Sequence, residues 1–369
     1  MNVLVVNAGS SSLKLHVLDG ADGTLTATQL ERWAGEADTD SLADFIASAG
    51  QVDAVGHRIV HGGHRFTGPA RLDDATTAEL AALTALAPLH QPRSLAGVRA
   101  VHTVLPDVPA VGCFDTAFHA TLPEPAATYP LPAEWRERWG LRRYGFHGLS
   151  HAYAARRAAE LVDRPLERLR VLSCHLGAGA SACAVVDGRS VDTTMGFTPL
   201  EGLVMATRSG SVDPGLLIWL QQHGGLGTAD LADGLEHHSG LAGLAGRGEA
   251  AGSGDMRDVR AAMQAGDAGA ALAFQVYIHR LRAGIAAMAA AMQGLDVLVF
   301  TGGIGEHQPA VRSAAAAGLD FLGVQLNEHA NAAATADADI GDRVAATRAV
   351  VVTAREDLEI TRQVRATLG

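Results

Sequence analysis

Short apolar runs alternate with amphipathic stretches along the chain, a pattern that predicts an α/β protein. The apolar runs predict strands at residues 3–6, 13–18, 54–60, 110–114, 171–175, 297–300 and 349–353. The amphipathic or alanine-rich stretches predict helices at residues 76–87, 151–161, 215–222, 267–293 and 357–368. We therefore expect strands and helices to succeed one another over the whole chain.

A small, hydroxyl-rich turn, NAGSSSLK, joins the first two predicted strands. Gly9 lets the backbone turn, and Ser10, Ser11 and Ser12 offer hydroxyls and amides to an anion. Lys14 is the only lysine among the 369 residues, and it adds a compact positive charge. The loop taken alone is equally consistent with an ordinary polar hairpin and with a phosphate-binding turn.

The strand–turn–strand pattern recurs 168 positions later, in residues 174–188. In this overlay Gly9 falls on Gly177, Val17 on Val185, Asp19 on Asp187 and Gly20 on Gly188. A repeat at half the chain length predicts two related domains, residues 1–150 and 151–356, with the last helix (about 357–369) packing back on the first. A third glycine-rich turn, TGGIGEH, follows another predicted strand, and three such turns suggest a nucleotide held from several sides.

Composition narrows the class of protein. A net charge of −11 without any Lys/Arg-rich run argues against a nucleic-acid surface, so an anionic ligand must be held by local cations. The longest apolar stretch, residues 283–292, is too short to span a bilayer, and no basic segment suggests a signal peptide. The three cysteines show no paired spacing, which indicates buried thiols in a cytoplasmic protein; a nucleophilic role for Cys113 is the less favoured alternative.

Several motifs carry candidate chemistry, each with a plainer structural alternative. Arg58 lies within a predicted strand, where burial requires an anion, so it is a candidate clamp for a carboxylate or phosphate. The neighbouring His57, His61 and His64 make zinc a minority alternative. Asp115 ends a strand, where it would either face a substrate or cap the next turn.

The remaining motifs also allow both a functional and a structural interpretation. His147 lies between glycines and aromatic residues, a setting that is more often structural. Arg208 belongs to a Thr-Arg-Ser-Gly turn. Asp255 and Arg257 would either cap a helix or contact a ribose and base. Glu356 follows a strand, where it would reach a bound cation or offset the dipole of a helix.

Taken together, the motifs resemble one family over nearly the whole chain. The blocks NAGSSSLK, GHRIVHGG, APLHQP, CFDTAFH, YGFHGLSH, HLGAGAS, TTMGFTPLEGLVMATRSGSVDPG, SGDMRD, TGGIGE and REDLEI resemble, in order, those of the acetate kinase family. That family, with the propionate and butyrate kinases, belongs to the sugar kinase/Hsp70/actin superfamily. The long block beginning TTMGF is the most specific of the ten.

The resemblance implies a fold and a reaction. The fold would be α/β, with two related domains of the actin-like ATPase (ribonuclease H-like) type and a nucleotide cleft between them. The reaction would be reversible, Mg²⁺-dependent transfer of the ATP γ-phosphoryl group to acetate by direct in-line attack, giving acetyl phosphate and ADP, with Mn²⁺ as an alternative metal. The resemblance also implies a cytoplasmic homodimer that binds neither nucleic acid nor membrane.

The resemblance further implies roles for individual residues. Catalytic roles fall on Arg58, Asp115, His147 and Arg208, and metal binding falls on Asn7 and Glu356. The acyl substrate would contact Arg58, Val60, Leu89, His90, Phe146 and Pro199. The nucleotide would contact Ser10, Ser12, Lys14, His175, Leu176, Gly177, Ala178, Gly179, Asp255, Met256, Arg257, Gly303, Ile304, Gly305, Glu306 and His307.

Two departures from the residues usual in the family leave the identity of the phosphoryl donor open. Ala178 and His307 stand where the family usually has Asn, so pyrophosphate is an alternative to ATP. Chain-length preference is open too, because one methylene in an apolar pocket changes discrimination by only ~1–3 kcal/mol. Propionate or butyrate is therefore the runner-up substrate. An ATP-driven switch protein is a less favoured class, since the apolar pocket and Arg58 suit a small acid.

Overall fold

The structure is a computed structural model that describes residues 1–9, 12–31, 33, 35, 38–88, 90–246 and 253–369. In these residues the strands are β1 (Val3–Ala8), β2 (Ser12–Leu18), β3 (Thr24–Glu31), β4 (Ala54–Ile59), β5 (Ala70–Arg71), β6 (Ala110–Phe114), β7 (Arg170–Leu176), β8 (Ala180–Val186), β9 (Arg189–Thr193), β10 (Val297–Thr301), β11 (Ala338–Asp339) and β12 (Arg348–Val351). The α-helices are α1 (Asp40–Ala49), α2 (Asp74–Ala82), α3 (Gln91–Val104), α4 (Glu124–Ala127), α5 (Ala133–Trp139), α6 (Gly148–Leu161), α7 (Pro214–His223), α8 (Thr228–His237), α9 (Gly240–Ala245), α10 (Met256–Gln264), α11 (Ala268–Ala291), α12 (Gly302–His307), α13 (Pro309–Ala316), α14 (Glu328–Ala333) and α15 (Glu356–Leu368).

The chain divides into two compact units. Unit 1 comprises Met1–Ala120, Phe146–Tyr153 and Arg355–Gly369, and unit 2 comprises Thr121–Gly145 and Ala154–Ala354. Residues 121–145, which the sequence analysis places in the first domain, group with unit 2. There the Thr121 hydroxyl donates to the carbonyl of Ser190 at 2.9 Å, and Arg143 pairs with Glu201 at 2.9 Å.

Each unit contains a six-stranded sheet, and the two sheets share one topology. The orders are β3-β2-β1-β4-β6-β5 and β9-β8-β7-β10-β12-β11. In both, the first three strands form an antiparallel meander, the next two run parallel to the third, and the last is an antiparallel edge. The related sheets agree with the two related domains that the sequence repeat predicts.

The hairpins show where the repeat departs from exact duplication. Gly9 and Gly177 both follow the last paired residue of the first strand, as the overlay predicts. The first pair facing each loop is Ala8 with Leu13 in unit 1 and Leu176 with Ala180 in unit 2, so the second loop is one residue shorter. Beyond the loop, the overlay of Val17 on Val185 is therefore wrong by one position.

Both faces of the unit 1 sheet are covered. One face packs Val3, Val5, Ala54, Val111 and Cys113 against Ile360 and Val364 of α15. The other packs the alternate residues Leu4, Val6 and Val55 against α1 and α3. This alternation follows from the two-residue period of a strand, and it places the C-terminal helix on the sheet of unit 1.

Strands β8 and β10 of unit 2 are buried along nearly their whole length. Helix α11 packs against β8 and against α9 and α10. Asp267 caps the start of α11 by accepting from the Ala270 amide at 2.7 Å. Gly294, with φ at 138°, follows its end.

The observed strands and helices mostly begin or end within a few residues of their predicted bounds. Helix α2 begins at Asp74 because Asp73 accepts from the Thr76 amide at 2.7 Å, and it continues as a 3-10 helix, Leu83–Leu86. Helix α6 begins three residues early because the Gly148 amide is tied to the Asp115 carbonyl at 2.9 Å. The segment TGGIGEH, predicted as a turn, instead forms helix α12 from its second residue onward. The sequence pattern predicts neither α1 nor α3, and it likewise gives no helix for α4, α5, α8, α9, α13 or α14.

All three cysteines are buried and free of disulfides. Burial raises the pKa of Cys113 and Cys174 far above the ordinary thiol range, and it raises the pKa of Cys183 to about 12. Thiols that hold their proton so firmly are poor nucleophiles. Cys113 is accordingly a core side chain, and the nucleophile alternative loses its support.

The contact between β4 and α15 leaves no room for a side chain at Gly56. A Cβ there would lie 2.5 Å from Ile360 Cγ2 and 2.8 Å from Val364 Cγ2. We expect Gly56→Ala to lower the free energy of unfolding of unit 1 by about 1–3 kcal/mol through overpacking. Urea unfolding followed by the buried Trp33, with the other three tryptophans changed to Phe, measures this effect.

Gly68→Ala is the matched control, because a Cβ at Gly68 would have no heavy atom within 4 Å. Equal unfolding midpoints for the two alanine variants would contradict the packing argument.

His57 is fully buried on the β4 face opposite Arg58, and burial lowers the pKa of its imidazole to about 3 from 6.5. The unfolded chain therefore binds one proton more as the pH falls below 6.5, and stability falls with it. We expect wild type to lose about 2 kcal/mol more than His57→Gln between about pH 7 and pH 5. Urea unfolding at a series of pH values across that range measures the free energy of unfolding. His64 is exposed, so His64→Gln is the control and should keep the wild-type dependence of that free energy on pH. Parallel curves for wild type and His57→Gln would show that His57 does not carry this proton.

Candidate active site

The carboxyl ends of three neighbouring parallel strands meet at one edge of the unit 1 sheet, in the order β1-β4-β6. Asn7 lies near the end of β1, Arg58 near the end of β4, and Asp115 directly after β6. In open α/β sheets, this edge is where ligands bind. The fold thus brings together three side chains that are far apart in sequence.

Arg58 joins this group by hydrogen bonds. Its Nε donates to Asp115 Oδ1 and Oδ2 at 3.1 and 3.2 Å, and its Nη2 donates to Oδ2 at 2.7 Å. Its Nη1 donates to Asn7 Oδ1 at 3.3 Å and lies 3.5 Å from Glu356 Oε2. The two-point contact with Asp115 fixes the plane of the guanidinium group. Asp115 is therefore a hydrogen-bonded partner of Arg58.

The charges of this group are mutually dependent. The side chain of Asp115 is 2% exposed, that of Arg58 is 21% exposed and that of Glu356 is 17% exposed. Burial works to lower the pKa of Arg58, but the charges of Asp115 and Glu356 outweigh burial and hold the pKa above its ordinary value. A positive charge thus persists at the sheet edge with N–H groups still available, since a guanidinium has five donors.

His147 adopts an unusual backbone conformation beside Asp115. Its φ is 56°, in the left-handed region that non-glycine residues seldom occupy. The next residue, Gly148, donates its amide to the Asp115 carbonyl at 2.9 Å, and a Cβ there would lie only 2.2 Å from that oxygen. The ring of His147 meets that of His151 edge-on, with centroids 6.4 Å apart. Backbone conformations of this kind cluster at functional sites, which makes His147 a candidate for a role beside Asp115.

Apolar side chains predicted for the acyl pocket belong to different parts of the chain. Val60 and Phe146 are buried in unit 1, where Phe146 meets the ring of His61 edge-on at 5.5 Å. His90 is half-buried at the start of α3. Pro199 belongs to unit 2. Leu89 lies outside the described residues, so the structure gives it no position.

Strands β1 and β2 pair with each other on either side of the NAGSSSLK turn. The Gly9 amide donates to the carbonyl of Ser12 at 2.8 Å, and Lys14 pairs across the strands with Asn7. Lys14 is exposed. Ser10, also predicted for the nucleotide, lies outside the described residues. Because opposite residues of an antiparallel pair share a face, Lys14 projects from the same face of the sheet as Asn7.

Unit 2 contains a cavity of about 570 Å³. The three predicted nucleotide segments all contribute to its lining, through Gly177, Ala178, Asp255, Met256, Arg257, Gly303, Ile304 and His307. The prediction missed four further lining residues, Ala206, Ser253, Gly254 and Gln308. Gly254 and Gln308 directly adjoin predicted residues and Ser253 is two positions from Asp255, which was the available signal. The volume suits a small-molecule ligand.

Two residues of this cavity also have structural roles. Asp255 caps α10 by accepting from the Arg257 amide at 2.8 Å, and its carboxylate pairs with the Arg257 guanidinium at 2.5 Å. The capping alternative is thus correct for Asp255, although it also lines the cavity. Arg257 is exposed, so its outer N–H groups face solvent.

The other predicted residues of unit 2 lie around the ends of β7 and β10. His175 and Leu176 end β7, Gly179 closes the following loop, and Gly305 lies within α12. Glu306 accepts from the Ala354 amide at 3.0 Å, which ties α12 to the segment after β12. The predicted His175 and Gly179 do not line the cavity, whereas their neighbour Ala178 does.

Arg208 is largely enclosed in unit 2. Burial lowers the pKa of Arg208, and the charge of Glu236 counters this effect only in part. A cation in such surroundings gains free energy from an anion placed beside it. Arg208 is thus electrostatically suited to an anionic group.

The oxygen donors of Asn7, Asp115 and Glu356 suit a hard divalent cation. Within the described residues no cluster of three or more His, Cys, Asp or Glu side chains is arranged to hold a metal by itself. The zinc alternative for His57, His61 and His64 therefore gains no support from the described part of the chain. A cation held partly by phosphate oxygens needs only one or two carboxylates, and these residues fit that requirement.

No helix in the described part of the chain combines the length and the apolar character needed to cross a membrane.

Comparison with known proteins gives one consistent result. The acetokinase family matches residues 39–362. Acetate kinase of Synechococcus sp. (strain JA-2-3B'a(2-13)) is 44% identical over 399 residues, covering 98% of this chain and 97% of that protein. The crystal structure of Porphyromonas gingivalis acetate kinase superimposes with a TM-score of 0.91 at 34% identity over 100% of both chains. A propionate kinase from Francisella tularensis subsp. tularensis SCHU S4 gives 0.90 at 32% identity over 99% of both. On this evidence, the chain belongs to the acetokinase family.

Proposed function

We propose that this protein is an acetate kinase, which transfers the γ-phosphoryl group of ATP to acetate reversibly, giving acetyl phosphate and ADP. The observation that carries the proposal is the Arg58 guanidinium held by Asp115 beside Asn7 and Glu356 at the sheet edge. Buried apolar Val60 follows two residues after Arg58, so a small acid with an apolar end suits this region. The relatives named acetate kinase support the choice of acid.

Arg58 binds and orients the carboxylate of the substrate. Asp115 occupies Nε and one N–H of Nη2, so the second N–H groups of Nη1 and Nη2 remain for an anion. Glu356 lies 3.5 Å from Nη1 and competes with the substrate for that donor. A carboxylate held in one plane presents one oxygen to the phosphorus, which gives the orientation that in-line transfer needs.

His147 and Arg208 are proposed to stabilise the transferring phosphoryl group. Its transition state is loose and metaphosphate-like, so charge on the equatorial oxygens matters more than covalent help. The left-handed conformation of His147 fixes where its ring points, and the partly compensated charge of Arg208 favours an anion. A carboxylate is already an adequate nucleophile, so no general base is required.

Mg²⁺ is the proposed metal, with Mn²⁺ as the alternative. When bound, it neutralises charge on the β- and γ-phosphates. Asn7 and Glu356 would hold it, and Asp115 would accept hydrogen bonds from its water shell. All three already group around Arg58, so the residues present fit a cation that shares its ligands with phosphates.

The cavity of unit 2 is the proposed nucleotide site. Ala178, Ala206, Met256 and Ile304 give it apolar walls for a base, while Asp255, Arg257 and Gln308 supply polar groups. Because Ala178 offers no side-chain hydrogen bond, pyrophosphate stays the alternative donor.

Propionate kinase is the second candidate activity. A solved propionate kinase matches this chain nearly as well as the acetate kinase structure does. A single methylene changes discrimination by about 1–3 kcal/mol in an apolar pocket, so the balance depends on fine packing near Val60 and Phe146.

We also propose a cytoplasmic homodimer. The cytoplasmic location is supported by three buried free thiols, and the dimer by membership of the family. Light scattering at micromolar concentration tests the dimer, and a single monomeric species would contradict it.

Arg58→Ala should lower kcat/KM for acetate by about 10²–10³-fold, because the carboxylate loses its oriented donor. Hydroxamate trapping of acyl phosphate, with ATP, Mg²⁺ and acetate, propionate or butyrate, measures the effect and the chain-length preference together. Arg71→Ala, an exposed arginine of unit 1, is the matched control and should keep wild-type activity.

Acyl phosphate formed best from a longer acid would reassign the substrate within the family. No product from any acid with either ATP or pyrophosphate would contradict the proposed function and favour the ATP-switch class.

Asp115→Asn keeps the shape of the side chain but removes its charge. We expect kcat to fall by about 10²-fold or more, because the Arg58 guanidinium loses the anionic acceptor that fixes its plane. A higher Mg²⁺ concentration should be needed for the half-maximal rate, because the water shell of the metal loses the same acceptor. A Mg²⁺ titration of the initial rate is the measurement. Full turnover with an unchanged Mg²⁺ requirement would rule out the assigned role.

A further inference from the structure

A second cavity, of about 360 Å³, lies in unit 1 on the sheet face opposite Arg58. It is enclosed by β4, the start of β6, α2 and α3. Successive residues of a strand point to opposite faces, so His57 lines this cavity while its neighbour Arg58 reaches the candidate active site. None of the residues assigned to acetate, nucleotide or metal belongs to its lining.

The wall of the cavity around β4 and α3 is apolar and buried. Val55, Val98 and Val101 are between 1% and 6% exposed. The lining residues Asp73, Asp74, Arg99, His102 and Thr103 are exposed, which places them at the mouth, and Thr77 is half-buried. The cavity therefore has an apolar interior and a polar rim, the usual construction of a small-molecule site.

His57 gives that interior one polar group. It is 1% exposed, and its Nε2 is fully enclosed without a hydrogen-bond partner in the described part of the chain. A buried polar nitrogen without a partner is costly, and native proteins keep few of them. A single water would be poorly held there, because water in a protein interior needs two to four polar partners and the adjacent lining is valine.

Charge at the rim narrows the chemistry of the occupant. Among the charged side chains of the rim, the two carboxylates of Asp73 and Asp74 outnumber the one guanidinium of Arg99, so the mouth does not favour an anion. Burial keeps the His57 ring neutral at pH 7, so the interior does not favour one either. A carboxylate such as acetate is thereby disfavoured.

We propose that this cavity is a binding site for a small uncharged molecule with an apolar, ring-sized body and one polar group that hydrogen-bonds to His57. The molecule fits a volume at the lower end of ligand pockets. Its body packs at the valine wall, and its polar group satisfies the imidazole.

The site is positioned to act on the reaction. His57 and Arg58 are consecutive residues of one strand, so a shift of β4 on binding moves the guanidinium that orients the substrate carboxylate. The expected effect is on the affinity for acetate and not on the phosphoryl-transfer step. This coupling rests on the proposed function; the binding itself does not.

Nuclear magnetic resonance of the full chain carrying ¹³Cε1-labelled histidine tests the binding. The probes are indole, 2-naphthol and benzamide at millimolar concentration, and His57→Gln assigns the His57 resonance. We expect at least one probe to shift that resonance in wild type with a Kd on the order of 10⁻⁴–10⁻³ M. No shift with any of the three probes would overturn the proposal.

Variants at the mouth identify the place of binding. Thr77→Trp narrows the opening from α2, and Thr103→Trp narrows it from the exposed end of α3. If one of these variants does not fold, the other still tests the site. Both should weaken the probe by about tenfold or more. Ala75→Trp, exposed on the face of α2 opposite the lining residues, is the matched control and should bind like wild type. Equal binding by all three variants would place the probe elsewhere and overturn the site.

Kinetics then test the coupling. The bound probe should change KM for acetate by about twofold or more with kcat unchanged in wild type and Ala75→Trp, but not in Thr77→Trp. An unchanged KM at saturating probe would overturn the coupling. Inactivity of every protein toward all acids would count against the proposed function, while the resonance shift would still decide the cavity.

Discussion

The pairing of Arg58 with Asp115 is the interaction on which the candidate site depends. Neither group would be tolerated alone at a largely enclosed sheet edge, because an unpaired buried charge is strongly destabilising. Together they keep a positive charge in a fixed plane next to Asn7 and Glu356. The backbone of Asp115 also accepts from Gly148, so the same residue sets the position of the arginine and of the loop that carries His147.

Much of the architecture was available from the sequence because it depends on local pattern. The apolar runs predicted β1, β4, β6, β7 and β10 to within two residues, since buried strands require continuous apolar segments. Helix α3 escaped prediction because its sequence, QPRSLAGVRAVHTV, mixes polar residues into the periodic positions. Its burial comes from tertiary contacts with β1 and β4, which no local pattern reports.

The candidate site was predicted unevenly for the same reason. Residue types such as Arg58 and Asp115 were recognisable, but their two-point hydrogen bond depends on β4 and β6 being neighbours, a fact of topology. The left-handed backbone of His147 was likewise invisible, although the glycines on either side were a hint. The overlay of the two halves placed Gly9 on Gly177 correctly and then lost register, because a loop can lose one residue without changing the pairing of its strands.

The single lysine of the chain has a practical consequence. Lys14 is exposed on β2, across from Asn7, and every other basic side chain is arginine or histidine. Amine-selective reagents therefore find one side chain in the whole protein to modify, besides the α-amino group of Met1. A fluorophore or crosslinker coupled to that side chain through amide chemistry would lie on the strand beside Asn7 without any engineered cysteine, where it would report on events at this edge of the sheet.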